Sequence, residues 1–471
     1  MKTIDKIYIN GVFTNPHGKE ILPLFNPATG NRIGEVYLGD ETDVNEAVKA
    51  AKKAFKTFSK TSLKERGEIL VRLYEAMIAR EEDLNAAAVE EYGSPITATK
   101  GRTRYSAQLF LDAKKAMESF EFETQLEHAV VVNEPLGVIA AITPWNADYT
   151  HICSKLAPAI ATGCTMVIKP SELSAIQTQI LTECFDAANV PVGVINIVNG
   201  TGLIVGAALT SHTDVALVTF TGSTNVGKQI ERGATESLKR VVLELGGKSP
   251  NVLLEDADLE KAIPLAIDIA FSNSGQACHA GTRLIVPDSR IEEIKPLLKK
   301  YTVALKIGDL HSPDTYIGPM VSEKQFETVQ RYIRSGIEEG AELLVGGLGH
   351  PEGLGGFYAR PTIFVNVDAK MTIAQEEIFG PVLAVLTYKT EAEAIEIAND
   401  TIYGLSAYVS SCDIDKARQI ALQILSGRVL INTAINKEAK APFGGFKQSG
   451  IGRTSGVYGL AEYVEPKVIA L

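Results

Sequence analysis

Apolar residues recur at three- and four-residue spacing through residues 43–92, as at Val44, Val48, Ala51 and Phe55, within a stretch dense in Ala, Glu, Lys and Leu. That period predicts amphipathic helices as a lead-in to the fold. From residue 137 the rhythm changes. Short apolar runs at Val138–Ile142, Thr165–Ile168, Val194–Val198, Ala216–Phe220 and Val241–Leu243 alternate with helix-length segments. Such alternation predicts a parallel, doubly wound α/β sheet covered on both faces by helices.

A second cycle follows, with runs at Leu284–Val286, Thr362–Val367, Val382–Leu386, Ser406–Val409 and Val429–Ile431. Helical stretches over Ser322–Glu339 and Asp413–Ser426 separate them, so two α/β units are expected. Gly346–Gly356 reads as an exposed glycine-rich connection. Phe120–Asn133 and the tail Tyr463–Leu471 fit neither unit and read as strand-like ends. An exposed strand edge is a template for pairing with a second chain.

Composition narrows the class. At 471 residues the chain is too long for one ordinary core, and 45% hydrophobic with 22% charged residues is ordinary globular usage. A net charge of −11 argues against a nucleic-acid or anionic-membrane partner, either of which calls for a basic face. Charges within the first ten residues interrupt any secretory core, and no later run approaches a membrane span, so a cytoplasmic protein is expected. Five cysteines without C-x-x-C or zinc-ligand spacing fit a reducing compartment and no metal site. Cys153, Cys164, Cys184 and Cys412 read as packing residues.

The fifth cysteine stands in Ser274-Gly-Gln-Ala-Cys278-His-Ala-Gly-Thr-Arg283, where small neighbours let backbone crowd a substrate carbonyl. Upstream, Leu243-Glu244-Leu-Gly-Gly-Lys-Ser-Pro250 puts a carboxylate at a strand end before paired glycines. Pro144-Trp145-Asn146 adds a side-chain amide. Thiol, base and amide donor are the parts of covalent acyl chemistry at a carbonyl. Each also has a plain reading: a buried structural cysteine, a strand-end glutamate facing solvent, a turn asparagine. Gly222-Ser223-Thr-Asn-Val-Gly227 joins a strand run to a helical pattern, where backbone N–H groups and a helix dipole can meet a pyrophosphate or simply make a turn. Pro170-Ser-Glu172 likewise suits a helix start.

Taken in order, these segments resemble the aldehyde dehydrogenase superfamily. The resemblance begins at Phe25-Asn-Pro-Ala-Thr-Gly30 and continues through Pro144-Trp-Asn146, Ile168-Lys-Pro-Ser-Glu172 and Phe220-Thr-Gly-Ser-Thr-Asn-Val-Gly227. It takes in the glutamate and cysteine segments, Glu376-Glu-Ile-Phe-Gly-Pro381 and Pro442-Phe-Gly-Gly-Phe-Lys-Gln-Ser-Gly450. It implies an NAD-binding domain from residues 1–119 and 137–245, a catalytic domain over 246–440, and oligomerisation strands from 120–136 and 455–471. A homodimer or homotetramer is the implied assembly. The implied activity is NAD-dependent oxidation of an aldehyde to its acid. Cys278 is then the nucleophile that forms a thiohemiacetal and a thioester, Asn146 an oxyanion donor with the Cys278 N–H, and Glu244 the base that activates water. Lys155 matches a lysine assigned to proton relay.

The same resemblance assigns the cofactor contacts. Lys169 and Glu172 touch the adenosine ribose, and a carboxylate there disfavours a 2′-phosphate, so NAD is expected over NADP. Gly202, Gly222, Ser223 and Gly227 lie along the dinucleotide, Trp145, Leu245 and Gly246 border it, and Glu377 and Phe379 hold the nicotinamide end. Spacing of two on an extended segment would put Glu377 and Phe379 on one face. The sequence departs from the family after Asn146, where Ala147-Asp148-Tyr149 replaces an aromatic-proline pair and alters the substrate-channel wall. Tyr149, Ala277, His279 and Asn436 are the channel candidates, a mixed set with no obvious arginine clamp for a carboxylated substrate. Rival activities are a CoA-acylating semialdehyde dehydrogenase, for which Glu244 is superfluous, and a thiol esterase, for which the dinucleotide segments are idle. A non-enzymatic relative would be expected to have lost site residues.

Overall fold

A computed structural model describes residues 1–470. Its centre is two mainly parallel sheets. The first has eight strands in the order Gly450–Ile451, Arg240–Glu244, Val215–Thr221, Val138–Ile142, Thr165–Lys169, Ile195–Ile197, Ile7–Ile9 and Val12–Thr14. Its five middle strands run parallel, and the two ends are closed by antiparallel pairings. Every residue of Val138–Ile142 and Thr165–Lys169 is buried, as befits strands covered on both faces. The predicted runs are thus strands of one sheet, in crossed order.

The second sheet has seven strands, ordered Glu342–Val345, Thr362–Val365, Val382–Tyr388, Arg283–Pro287, Pro250–Leu253, Ser406–Ser410 and Arg428–Ile431. All pair parallel except the first. Pro250–Leu253, near its middle, was not among the expected runs. It is four residues long and follows Gly-Gly-Lys-Ser, a composition that reads as turn. Arg283 is buried with no carboxylate partner; its guanidinium donates to the carbonyls of Lys248, Ile397 and Ala398 at 3.1, 2.9 and 2.8 Å. The last two lie at the end of helix Glu391–Asn399, where carbonyl dipoles favour a cation.

The helical lead-in consists of Glu41–Phe58, Leu63–Ala79, Glu81–Ala87 and Ile96–Ser119. Asp40 caps the first with a reciprocal bond from Asp43, and Val44, Ala47, Val48 and Ala51 form its buried stripe. Ahead of it lie strands not foreseen from the pattern: Lys2–Ile4, Ile21–Phe25 and Arg32–Tyr37 make a small sheet, while Ile7–Ile9 and Val12–Thr14 form a hairpin. The hairpin turns on Asn10 and Gly11, both at positive φ (54° and 78°), the conformation a two-residue turn requires.

The two strand-like ends do pair with each other. Glu123–Gln125, Ala129–Pro135 and Val464–Ala470 form an antiparallel sheet, and seven residue pairs join the last two strands. Leu471, the final residue of that expected segment, lies outside the described residues. Along Val464–Ala470 all but the first residue are exposed. Cys153, Cys164 and Cys184 are buried as expected, but Cys412 is exposed, because it starts the turn into helix Ile414–Ala421 and not a core strand.

Candidate active site

The carboxyl end of the first sheet meets the loop that enters the second, and the chemical candidates converge there. Glu244 ends its strand, buried, with neither carboxylate oxygen bonded to another protein group. Burial without partners raises its proton affinity well above the usual carboxylate range. Lys155, on helix Asp148–Thr162, is buried beside it and donates to Thr219 Oγ1 at 3.2 Å. Desolvation lowers the ammonium, while Glu244 opposes that shift.

Cys278 is half-buried on the loop after a short helical turn, Ser272–Gly275. Asn273, Ser274 and Gly275 all take positive φ (53°, 56° and 71°), and side-chain bonds compensate this strain. Asn273 Nδ2 donates to Gln276 O at 2.9 Å and Asn146 O at 3.2 Å, and its Oδ1 accepts from Arg102 at 2.8 Å. Ser274 Oγ accepts from Gly318 N at 2.8 Å, and Gln276 is pinned to Pro319 O and Val321 N. A Cβ on Gly275 would collide with the Gly380 carbonyl, so the loop can approach Gly380-Pro381 only as glycine.

Asn146 is buried and donates one amide hydrogen to Gln276 O at 3.1 Å, which holds the amide over the cysteine loop with its second hydrogen available. The thiol is pushed up to about 12, first by burial and then by the Glu377 and Glu244 carboxylates, with Arg428 acting in the opposite sense. Without other positive charge the sulfur is therefore a neutral thiol at pH 7.

Gly246 and Gly247 form the wall opposite. Glu377 accepts from Gly247 N at 3.2 Å, a Cβ on Gly246 would strike the Glu377 carboxylate, and a Cβ on Gly247 would sit 2.5 Å from Cys278 O. Burial raises Glu377 to about 7. Phe379 does not continue an extended segment as expected: its φ is 58°, and its ring meets Trp145 edge-on at 5.4 Å. Trp145 in turn packs against Tyr92 at 5.9 Å. Lys248, which sequence reasoning missed, is buried behind Glu377 with an unbonded Nζ that burial lowers to about 7.

On the other side of the strand ends, Lys169 Nζ contacts the Glu172 carboxylate at 3.0 Å, the lysine buried and the glutamate partly exposed. Ser223 caps helix Thr224–Ala234, accepting from Val226 N, and Gly222 N donates to Glu244 O at 3.1 Å. Gly227 packs under Leu245, whose side chain leaves no room for a Cβ there. Gly202 opens the helical turn Gly202–Gly206, exposed over its first three residues and buried at Val205 and Gly206, which contacts helices Glu41–Phe58 and Ala207–Ser211.

The channel candidates divide. Ala277 and His279 flank the thiol and are half-buried, and Asn436 is exposed. Tyr149 is fully buried with its hydroxyl 3.0 Å from Thr103 Oγ1, so it belongs to the core and does not line a channel. Outside that set, Arg428 heads its strand with its charge bearing on Cys278, His279 and Glu244. Nothing in its local sequence marks it, since Ser426-Gly-Arg428 comes 150 residues after the thiol. Among the described residues no cluster of metal-ligating side chains occurs, and no helix is long and apolar enough to cross a membrane.

A model of the aldehyde dehydrogenase family matches residues 13–469. The chain is 44% identical to 3-succinoylsemialdehyde-pyridine dehydrogenase of a Pseudomonas species, over 100% of this chain and 99% of that protein. Among solved structures, a mutant of aldehyde dehydrogenase C from Pseudomonas syringae, complexed with NAD+ and octanal, superposes with a TM-score of 0.97. It is 42% identical and covers 99% of this chain and 96% of its own. An aldehyde dehydrogenase of Mycobacterium tuberculosis complexed with NAD+ gives 0.96 at 39% identity, with 100% and 98% covered. The chain belongs to the aldehyde dehydrogenase family, and its two-sheet α/β architecture is that family's fold.

Proposed function

We propose that the protein oxidises an aldehyde to its carboxylic acid with NAD, using Cys278 as nucleophile and Glu244 as base. The observation that carries this reading is the grouping of a half-buried thiol, an amide donor held on its loop, and a buried carboxylate with two unbonded oxygens whose charge bears on that thiol. The first sheet with its helices is the cofactor unit, the second the catalytic unit, and the small sheet the surface through which two or four copies assemble in the cytoplasm.

The residues along the first sheet fit a dinucleotide. Glu172 and Lys169 offer an acceptor and a donor to ribose hydroxyls, which favours NAD over NADP, and the capped start of Thr224–Ala234 with Gly222 suits a pyrophosphate. Glu377 and Phe379 would hold the nicotinamide end against Gly246 and Trp145. That ring, when bound, supplies a hydride acceptor and a positive charge that favours the thiolate. Cys278 Sγ bonds to the aldehyde carbon, and the oxygen, as it gains charge, receives hydrogen bonds from Asn146 Nδ2 and the Cys278 N–H. After oxidation to the thioester, Glu244 takes a proton from the water that attacks the acyl carbon, the C–S bond breaks to release the acid and free the Cys278 sulfur, and Lys155 balances the charge beside Glu244. A CoA-acylating route would leave the buried Glu244 without a task.

Mixing the protein with NAD and a panel of aldehydes should produce NADH absorbance, and Cys278→Ala should remove on the order of 10⁴-fold or more of that rate. Full activity in the alanine variant would end this reading.

A further inference from the structure

We infer that Arg428 binds an anionic group at the far end of the substrate, so that the preferred aldehydes carry a carboxylate; this rests on the dehydrogenase reading above. Arg428 starts the edge strand Arg428–Ile431 of the second sheet and is half-buried. Its Nε donates to the buried Ser406 Oγ at 2.8 Å, and its guanidinium lies over the Phe443 ring, 5.0 Å from the centroid. Those two contacts fix the plane of the group. The guanidinium is hydrogen-bonded to Tyr408, whose hydroxyl donates to His279 O at 2.9 Å, one residue from the nucleophile. The charge is also felt at Tyr105, on helix Ile96–Ser119.

Among the described residues no carboxylate lies within 4 Å of this guanidinium. Two other buried or half-buried arginines are already engaged. Arg283 is ringed by backbone carbonyls, and Arg102 is spent on Asn273 and the Tyr92 face. Arg428 alone of these three combines a fixed orientation, N–H groups left over after Ser406 and Tyr408, and a charge that bears on the thiol. A planar fork of N–H donors with its charge uncompensated matches a carboxylate in two parallel hydrogen bonds. Beside the thiol, His279 Nδ1 is also buried without a partner.

The test compares succinic and glutaric semialdehydes with butanal and pentanal in the wild type, Arg428→Gln and Arg428→Lys. Wild type should favour the acids in kcat/KM. Arg428→Gln should lower the acids about 100-fold and the neutral aldehydes less than about threefold, the scale of a charged hydrogen-bonding pair, with Arg428→Lys between. Equal losses on both series would overturn the inference, since they would mark Arg428 as acting on the thiol or the fold. So would a wild-type preference for the neutral series, which would leave the dehydrogenase reading intact. Turnover of neither series would instead remove that reading and this one with it.

A second readout needs neither cofactor nor turnover. Alkylation of Cys278 by iodoacetate should slow in Arg428→Gln about tenfold more than alkylation by the neutral iodoacetamide, as one lost ion contact requires. Equal slowing by both reagents would again overturn it.

Discussion

The floor around Cys278 and the mouth around Arg428 are built in different ways. The floor is mostly backbone against backbone: Gly275 lies on the Gly380 carbonyl and Gly247 on the Cys278 carbonyl, with Gly246 against the Glu377 carboxylate, and none has space for a methyl group unless its neighbour moves. The mouth is side chains from distant segments, with Tyr105, His279, Arg428 and Phe443 arriving from a helix, the cysteine loop, an edge strand and the C-terminal region. Geometry that sets the reaction is held by main chain, and geometry that selects the substrate is held by replaceable groups. Changes in the floor should alter every aldehyde alike, and changes in the mouth should alter the ranking among them.

The sharpest way to break that division is Glu244→Gln. It should reduce steady-state turnover about 10²- to 10⁴-fold for every aldehyde, as loss of a general base does, yet leave a first burst of NADH near one per site in rapid mixing. Loss of the burst would move Glu244 to an earlier step. Next, Gly246→Ala should displace the Glu377 carboxylate and weaken NAD about tenfold by titration calorimetry, a loss of the order of one good hydrogen bond. An unchanged affinity would mean that this wall does not face the dinucleotide.

A smaller effect concerns the thiol itself. Because burial and two carboxylates push Cys278 up to about 12, its alkylation by iodoacetamide without cofactor should rise about tenfold per pH unit from pH 7 through pH 10. A plateau below pH 9 would show that the free site already stabilises the thiolate. The smallest expectation is Cys412→Ser, which should leave turnover unchanged, because the thiol is exposed at a helix entry away from both floor and mouth.

How far the sequence could be read follows from the same division. Cys278, Glu244 and Asn146 stand in short segments whose neighbours are small for local reasons, so a few consecutive residues reveal the need for close approach. Most of the ten expected strands were visible as apolar runs because both faces are buried; the edge strand holding Val429–Ile431 is apolar though only half-buried. Pro250–Leu253 was hidden by its length and its turn-like approach, and the first two hairpin strands by their brevity, although Asn10-Gly11 carried the signal. Arg428 was not legible at all: its significance depends on strand order, which places residue 428 beside residue 406 and, through Tyr408, beside 279. Tyr149 erred the other way, because one residue of helix phase decides between channel and core.

Ser449 accepts from Gly404 N through its hydroxyl, donates to Gly246 O at 2.7 Å, and receives Leu245 N at its carbonyl, just before Gly450 pairs with Glu244. The polypeptide thus crosses from one half of the molecule to the other at 245–249 and is sewn back beside that crossing. A clamshell motion of the halves would tear these bonds and drag the base with them. These bonds oppose opening at the crossing, so turnover should survive mild crosslinking of the two halves that would stop a hinged enzyme.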